Sequence, residues 1–290
     1  MKISGFTIIR NAIINDYPIR EAITSILPLV NEMIVLVGDC TDDTVGHIKS
    51  INDDKIKIHH STWDPLLKKG GKVLAVETDK AFKLIDPEST WAFYIQADEA
   101  VHEKDYPAIL EACNKYKDDK KVEGLLFKYL HFYGTYDYVG DSRKWYNKEV
   151  RIIKNDKKIS AYKDAQGFRK GRQKLKVKLI NSFIYHYGWV KSPEQMKKKM
   201  LEVSQFWNEQ SKGYQPEVHA NEIFNFEDYD SLEKFTGSHP FVMKQRVNNQ
   251  SWKVELDPAI QRFSKKDRFL YWFEKKTGKR LFDFKNYKII

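Results

Sequence analysis

The chain has 290 residues, room for one large domain or two small ones, and its 41% hydrophobic and 14% aromatic content excludes disorder as the default. A formal charge of +10 points to anionic partners, namely nucleotide phosphates, acidic glycans, nucleic acid or anionic lipid, without choosing among them. Cys40 and Cys113 make neither a disulfide framework nor a metal-binding spacing, and no run approaches the roughly 20 apolar residues of a membrane span, so a cytoplasmic protein, soluble or peripheral, is expected.

The opening MKISGFTIIRNA has too short an apolar run for a secretory signal, and Ile3 to Ile9 reads instead as a strand. NDYPIREAITSIL follows as a helix with Pro18 suited to its first turn. MIVLV at 33 to 37 is a second buried strand, and the acidic turn GDCTDDT leads into a short helix. KIKIHH at 55 to 60 alternates as a third strand, GGKVLAVETDKAFKLI at 70 to 85 is a helix, and WAFYIQ is a fourth strand. Strands alternating with helices predict right-handed crossovers and a mostly parallel sheet, with ligands bound beyond the carboxyl ends of the strands.

A helix near 105 to 116 precedes GLLFKYLHFYG (124 to 134) and EVRIIK (149 to 154), which read as further strands of the sheet. The basic, glycine-bearing stretch 160 to 178 reads as a flexible loop, and IYHYGWV at 184 to 190 as an apolar strand or turn. From Ser192 a helix is predicted by Met196, Met200, Val203 and Trp207, with lysines opposite, and a last helix by KKDRFLYWFEKK. No internal repeat is present. The expected organisation is therefore a domain over 1–190 with a helical, aromatic extension over 191–290 packing on it.

The stretch WAFYIQADEAVHE poses the functional question, because it ends a core strand in Asp98 and Glu99. Carboxylates are costly to bury, so either the strand surfaces there or the pair faces a ligand. In order and spacing, FTIIRNA, SILPLV, NEMIVLVGDCTDDT, YIQADE and WYNKEVRIIKN resemble family-2 glycosyltransferases of the GT-A fold over roughly residues 1 to 190. The last of these is similar to the acceptor-side segment of bacterial relatives that build surface polysaccharide. The resemblance implies an α/β fold of GT-A, Rossmann-like type, a mostly parallel sheet flanked by helices with a C-terminal helical extension. It also implies transfer of a sugar from a nucleotide-diphosphate donor to a glycan or lipid-linked acceptor, with inversion.

The same resemblance assigns roles. YIQADE looks like the family's metal-binding DxD strand end, with Asp98 in place of its final Asp and Gln96 replacing its first. A divalent cation, Mn2+ or Mg2+, would neutralise the diphosphate leaving group. Glu99 would assist Asp98 or serve as a cap, and His186 corresponds to the late histidine that many relatives offer to metal or diphosphate, or is a core histidine. Asp39 or Asp42 would meet the base and ribose, although an Asp before a helix is also an N-cap. Arg10 and Asn11 end the first strand and would reach the same nucleotide, or Arg10 is a surface charge. Lys72, after Gly70 and Gly71 at a helix start, either meets phosphate or is solvated. Relatives carry an arginine–asparagine pair where Thr78 and Asp79 stand here. For the base that takes the acceptor proton, Asp164 in YKDAQGF is preferred to Glu149, which shares a strand face with Arg151. The aromatic stretch LHFYGTYDYV with Trp145 and Tyr146 reads as an acceptor subsite or as core. FLYWF between lysines could rest on a bilayer, a peripheral membrane contact, or pack on the domain.

Two other readings remain open from the sequence. A sugar nucleotidyltransferase shares the sheet and the metal chemistry, but RNAIINDYP is not the glycine-rich basic loop expected after its first strand. A noncatalytic nucleotide-sugar-binding module would keep the fold and lose the chemistry, which Gln96 permits. Nucleic acid is not an expected partner, since the lysines are dispersed and no recognition motif is present.

Overall fold

The computed structural model describes residues 1–67, 69–204, 206 and 223–290. The first half follows the predicted alternation: β1 (Ile3–Ile9), α1 (Ile19–Ile26), β2 (Glu32–Val37), α2 (Thr44–Lys49), β3 (Ile56–His60), α3 (Lys72–Lys83) and β4 (Trp91–Tyr94). β1 and β2 are buried at every position, including Ser4 and Thr7 of β1, as strands covered on both faces are. After them come β5 (Glu99–Val101), α4 (Tyr106–Tyr116), β6 (Gly124–Gly134), β7 (Tyr138–Gly140), β8 (Lys148–Lys154), β9 (Ile159–Tyr162), β10 (Gly167–Lys170) and β11 (Gln173–Val190). The chain closes with α5 (Pro193–Ser204), β12 (Leu232–Lys234), α6 (Lys244–Asn248), α7 (Lys265–Thr277) and β13 (Tyr287–Ile289). Trp207, assigned to the α5 pattern, lies outside the described residues.

Among the described residues the strands form one α/β sheet in the order β3-β2-β1-β4-β8-β6-β11-β10-β9. β3, β2, β1 and β4 run parallel, β8 is antiparallel to both neighbours, and β6 and β11 are parallel again. Helices cover it: α1 packs Ala22, Ile23 and Ile26 into one core with β1, β2 and β4, while α3 packs Val73, Ala81 and Phe82 into the core on the other side. Two cores on one sheet explain why Phe6 and Phe93, on neighbouring strands, are both fully buried yet belong to different clusters.

One sequence expectation changes, and two are made definite. The stretch 160 to 178 is not a flexible loop. β9 and β10 pair antiparallel and β10 turns into β11 at Gly171, which has a positive φ of 57° and so suits a glycine. IYHYGWV is the carboxyl half of the 18-residue β11, whose neighbours are β6 on one side and β5 on the other. The extension over 191–290 is not purely helical either, since β12 pairs with β7 and β13 with β11. Short strands of three residues carry too little alternation to be read from sequence.

The aromatic stretch falls on the core side of its two readings. Phe132, Tyr133 and Tyr136 are nearly inaccessible, and Tyr133 packs with Trp145, Trp189, Phe226 and Tyr229.

Candidate active site

The parallel strands bring Arg10 and Asn11 to the carboxyl end of β1, Asp39 to that of β2, and Gln96, Ala97 and Asp98 to that of β4. A cavity of about 250 Å3 opens there. Its wall includes Arg10, Asn11, Gln96, Asp98, Asp164, His186 and Trp63, with Lys199, Glu202 and Phe206 on the side of α5.

Asp98 is the centre of the charge arrangement. Its Oδ2 accepts from Lys199 Nζ at 3.3 Å, its Oδ1 lies 3.7 Å from His186 Nε2, and its backbone carbonyl accepts from Tyr187 N at 2.7 Å. Burial alone would raise this carboxyl, but the fields of Lys199, His186 and Lys191 outweigh it and hold Asp98 at about 2, so it is ionised at neutral pH. Burial lowers the His186 imidazole, which therefore favours its neutral form.

Glu99 does not reach the cavity wall. It is fully buried and takes a bidentate grip from Arg151, whose Nε and Nη2 donate to it at 2.9 and 2.7 Å. Tyr129 Oη at 2.6 Å and Gln96 N at 3.0 Å complete its bonds. Arg151 also donates to Gln96 Oε1 and to the carbonyls of Val150 and Gln166. This buried ion pair thus ties the Asp98 segment to the loop carrying Asp164. Sequence reasoning placed Arg151 beside Glu149 on β8; its ion-pair partner is the carboxylate that follows β4.

Asp164 lies on the cavity wall in the tight loop between β9 and β10, where Lys163 and Ala165 both have positive φ. Burial raises its carboxyl from its ordinary value, which makes it a better proton acceptor when ionised. Glu149 is buried away from the cavity, with its Oε1 accepting from Val150 N. Burial pushes Glu149 up to about 7, against the opposing pull of Arg151. The folded state then keeps a proton that the unfolded chain releases near its ordinary 4.5, so this group's stabilisation is present below pH 4.5 and lost as pH rises through 7. Its share of the loss is on the order of 3 kcal/mol. Glu149→Gln should flatten the fall in urea midpoint between pH 4.5 and 8; equal slopes in both proteins would refute the assignment.

On the nucleotide side, Arg10 Nε donates to the Asp39 carbonyl at 3.1 Å, and its guanidinium lies 6.0 Å from the centre of the Phe206 ring. Asp39 is half-exposed and off the cavity lining; its Oδ1 accepts from Trp63 N, so it braces a residue that does line it. Asn11 adopts φ 51°, a left-handed conformation that Asn tolerates, and accepts from Thr41 N at 2.8 Å. Asp42 turns away from the cavity: its Oδ2 accepts from Ile13 N and Ile14 N and its Oδ1 from Thr44 N. The N-cap of α2 is Asp43, which accepts from Gly46 N at 3.0 Å. Lys72 is exposed at the start of α3 and does not line the cavity.

Whether these donors suit a divalent cation can be judged at Asp98 and His186. Gln96 is committed to Arg151 and Ala165, and Glu99 to Arg151, while Asp98 and His186 stand 3.7 Å apart on the wall as an adjacent carboxylate and imidazole. A carboxylate plus an imidazole, with the remaining positions left to diphosphate and water, is a donor set for Mn2+ or Mg2+. The space beside them is kept by Gly188, where a Cβ would lie 2.7 Å from Asp98 Oδ2 and 2.8 Å from His186 Nε2. The donor set therefore fits, with Lys199 competing for Asp98. Among the described residues no cluster of three or more His, Cys, Asp or Glu is placed to hold a metal by itself.

The features that the sequence did not reveal are Lys199, Glu202, Gly188 and His131, which bonds to His186. Helical periodicity assigns Lys199 to the solvated face of α5. Nothing in one helix tells that this face closes a cavity on a distant strand end.

No family model matches the chain, and no curated protein does. Among solved structures, S. aureus TarS is 15% identical over 70% of this chain and 39% of that one, with a TM-score of 0.37. Its 1–349 fragment in complex with UDP-GlcNAc gives 16% identity, 70% and 65% coverage, and a TM-score of 0.38. The 4-diphosphocytidyl-2C-methyl-D-erythritol synthase of Anaerococcus prevotii gives 13%, 70% and 98%, and 0.39. Glucosyl-3-phosphoglycerate synthase of Mycobacterium tuberculosis, with Mn2+, UDP and phosphoglyceric acid, gives 19%, 46% and 43%, and 0.31. The chain spans less than two thirds of the length of the TarS structures. At this level of likeness they assign it neither a family nor a reaction.

Proposed function

We propose that the chain is a glycosyltransferase of GT-A type, resembling family 2, that moves a sugar from a nucleotide-diphosphate donor to a glycan or lipid-linked acceptor with inversion. The observation that carries this reading is the convergence of Arg10, Asp98, Asp164, His186 and Lys199 on one cavity at the strand ends. Residues 1–190 would form the catalytic domain and 191–290 an extension packed on it, supplying Lys199.

In this reading Asp98 and His186 hold a divalent cation, which when bound withdraws electrons from the diphosphate leaving group. Lys199 and Arg10 add positive charge where the nucleoside diphosphate builds up negative charge. Trp63 and Phe206, with ring centres 5.3 Å apart, offer apolar faces to the base. Asp164 takes the proton of the acceptor hydroxyl as it attacks the anomeric carbon, and its raised carboxyl matches that task. Exposed Phe269 and Trp272 on α7, with Lys265, Lys266, Lys275 and Lys276 on the same helix, support a peripheral seat beside a lipid-linked acceptor. No helix among the described residues is long and apolar enough to cross a membrane. A cytoplasmic site facing a bilayer and bacterial surface polysaccharide as the product are part of the same proposal.

The test is a screen of common sugar nucleotides for release of nucleoside diphosphate, with and without Mn2+. Turnover of at least one donor is expected, and Gly188→Ala, whose methyl enters the space between Asp98 and His186, should lower it at least about tenfold while leaving the fold intact. Tight nucleotide binding without any turnover would favour a noncatalytic module. Release of pyrophosphate from a nucleoside triphosphate and a sugar phosphate would favour the nucleotidyltransferase.

A further inference from the structure

β6 and β11 run parallel with His131 and His186 in direct register, so the two rings stand side by side on one face of the sheet. Their centres are 4.9 Å apart, and Nδ1 of one lies 3.2 Å from Nδ1 of the other. On its far side His131 Nε2 lies 2.8 Å from the carbonyl oxygen of Tyr146. A carbonyl only accepts, so His131 Nε2 carries a hydrogen.

The rest of the chain of bonds follows. A neutral imidazole carries one hydrogen, and that of His131, only 3% exposed, is on Nε2, so its Nδ1 is a bare acceptor. The donor in the contact between the two rings is therefore His186 Nδ1–H. In a neutral His186 this leaves the Nε2 lone pair bare, and Nε2 is the atom that faces Asp98 Oδ1 at 3.7 Å. Two acceptors facing each other across a gap that Gly188 leaves open call for a cation or a donated hydrogen between them.

We infer that His131 is a positioning residue: through its bonds to Tyr146 O and His186 Nδ1 it fixes His186 in the Nδ1–H tautomer and keeps the Nε2 lone pair turned to the Asp98 gap. An imidazole ligand whose other nitrogen is tied to an acceptor has its ring and tautomer preset for cation binding. Without His131, the neutral ring is free to place its hydrogen on Nε2 and bond Asp98 directly, which would close the gap. The tautomer follows from the hydrogen bonds of two neutral rings; its use in holding a cation rests on the function proposed above.

Long-range proton–nitrogen correlation spectra of 15N-histidine-labelled full chain, taken above pH 7.5, read the tautomer of each ring. His186→Gln identifies the His186 signals. The wild type should show His186 protonated at Nδ1 and His131 at Nε2. His131→Phe, of similar shape, should move His186 to the Nε2–H form. His131→Gln, whose amide can both accept from His186 and donate to Tyr146 O, should restore the Nδ1–H form. Titration with manganese alone should broaden the His186 signals in the wild type, and about tenfold more manganese should be needed in His131→Phe. Wild-type His186 in the Nε2–H form, or a tautomer unmoved in folded His131→Phe, would overturn the inference. Should His131→Phe fail to fold, the wild-type and His131→Gln spectra decide it by themselves. The expected tautomers with no manganese broadening would count against the cation-holding role of the site and leave the positioning role standing.

Discussion

Arg151→Met is expected to cost about 3 to 5 kcal/mol of stability. Arg151 and Glu99 have no solvent exposure at either side chain. Methionine fills the volume but leaves the Glu99 carboxylate buried with only Tyr129 Oη and Gln96 N to support it. An uncompensated buried charge costs far more than a lost surface ion pair, because no water replaces the missing cation. The measurement is the urea midpoint, and the companion is the double variant Glu99→Gln with Arg151→Met. Its neutral amide can accept from Gln96 N through its oxygen and donate to Tyr129 Oη through its nitrogen, so the double variant should be more stable than the single Arg151→Met. A loss below about 1 kcal/mol in the single variant would refute the buried ion pair. Activity should fall as well, since Arg151 also holds Gln96 and the Gln166 carbonyl on either side of the cavity.

Asp98→Asn should reduce turnover of the accepted donor by about 10²- to 10³-fold with little change in stability. The amide keeps the shape but removes the negative charge that Lys199 and His186 both face. In the proposed site a cation would lose its carboxylate ligand, and Lys199 loses its Asp98 partner. Because Asp98 is held at about 2, it stays ionised throughout the neutral range and should set no limb of the pH–rate profile. In the proposed mechanism an acid limb would come instead from Asp164, whose carboxyl burial raises. Asp164→Asn should abolish that limb together with most of the activity. Unchanged turnover in a folded Asp98→Asn protein would remove Asp98 from the chemistry.

The sequence by itself determined the strands and helices of the first half of the chain, because burial leaves a local mark. β1 and β2 are buried throughout and mostly apolar since both faces of the sheet are covered, and the acidic residues after β4 announced a strand end of unusual character. It also placed Arg10, Asn11, Gln96, Asp98, Asp164 and His186, all of which line one cavity. It did not separate the two neighbouring carboxylates. Asp98 faces the cavity while Glu99, one residue on, enters β5 and points into the core, a difference set by the turn between β4 and β5. Only the tertiary structure decided the partners. Arg151 meets Glu99 because β8 lies beside β4, His131 meets His186 because β6 and β11 share a register, and Lys199 meets Asp98 because α5 folds back over the strand ends. Periodicity reports whether a side chain is covered; which group covers it depends on contacts between segments that are distant in the chain, and no local pattern encodes them.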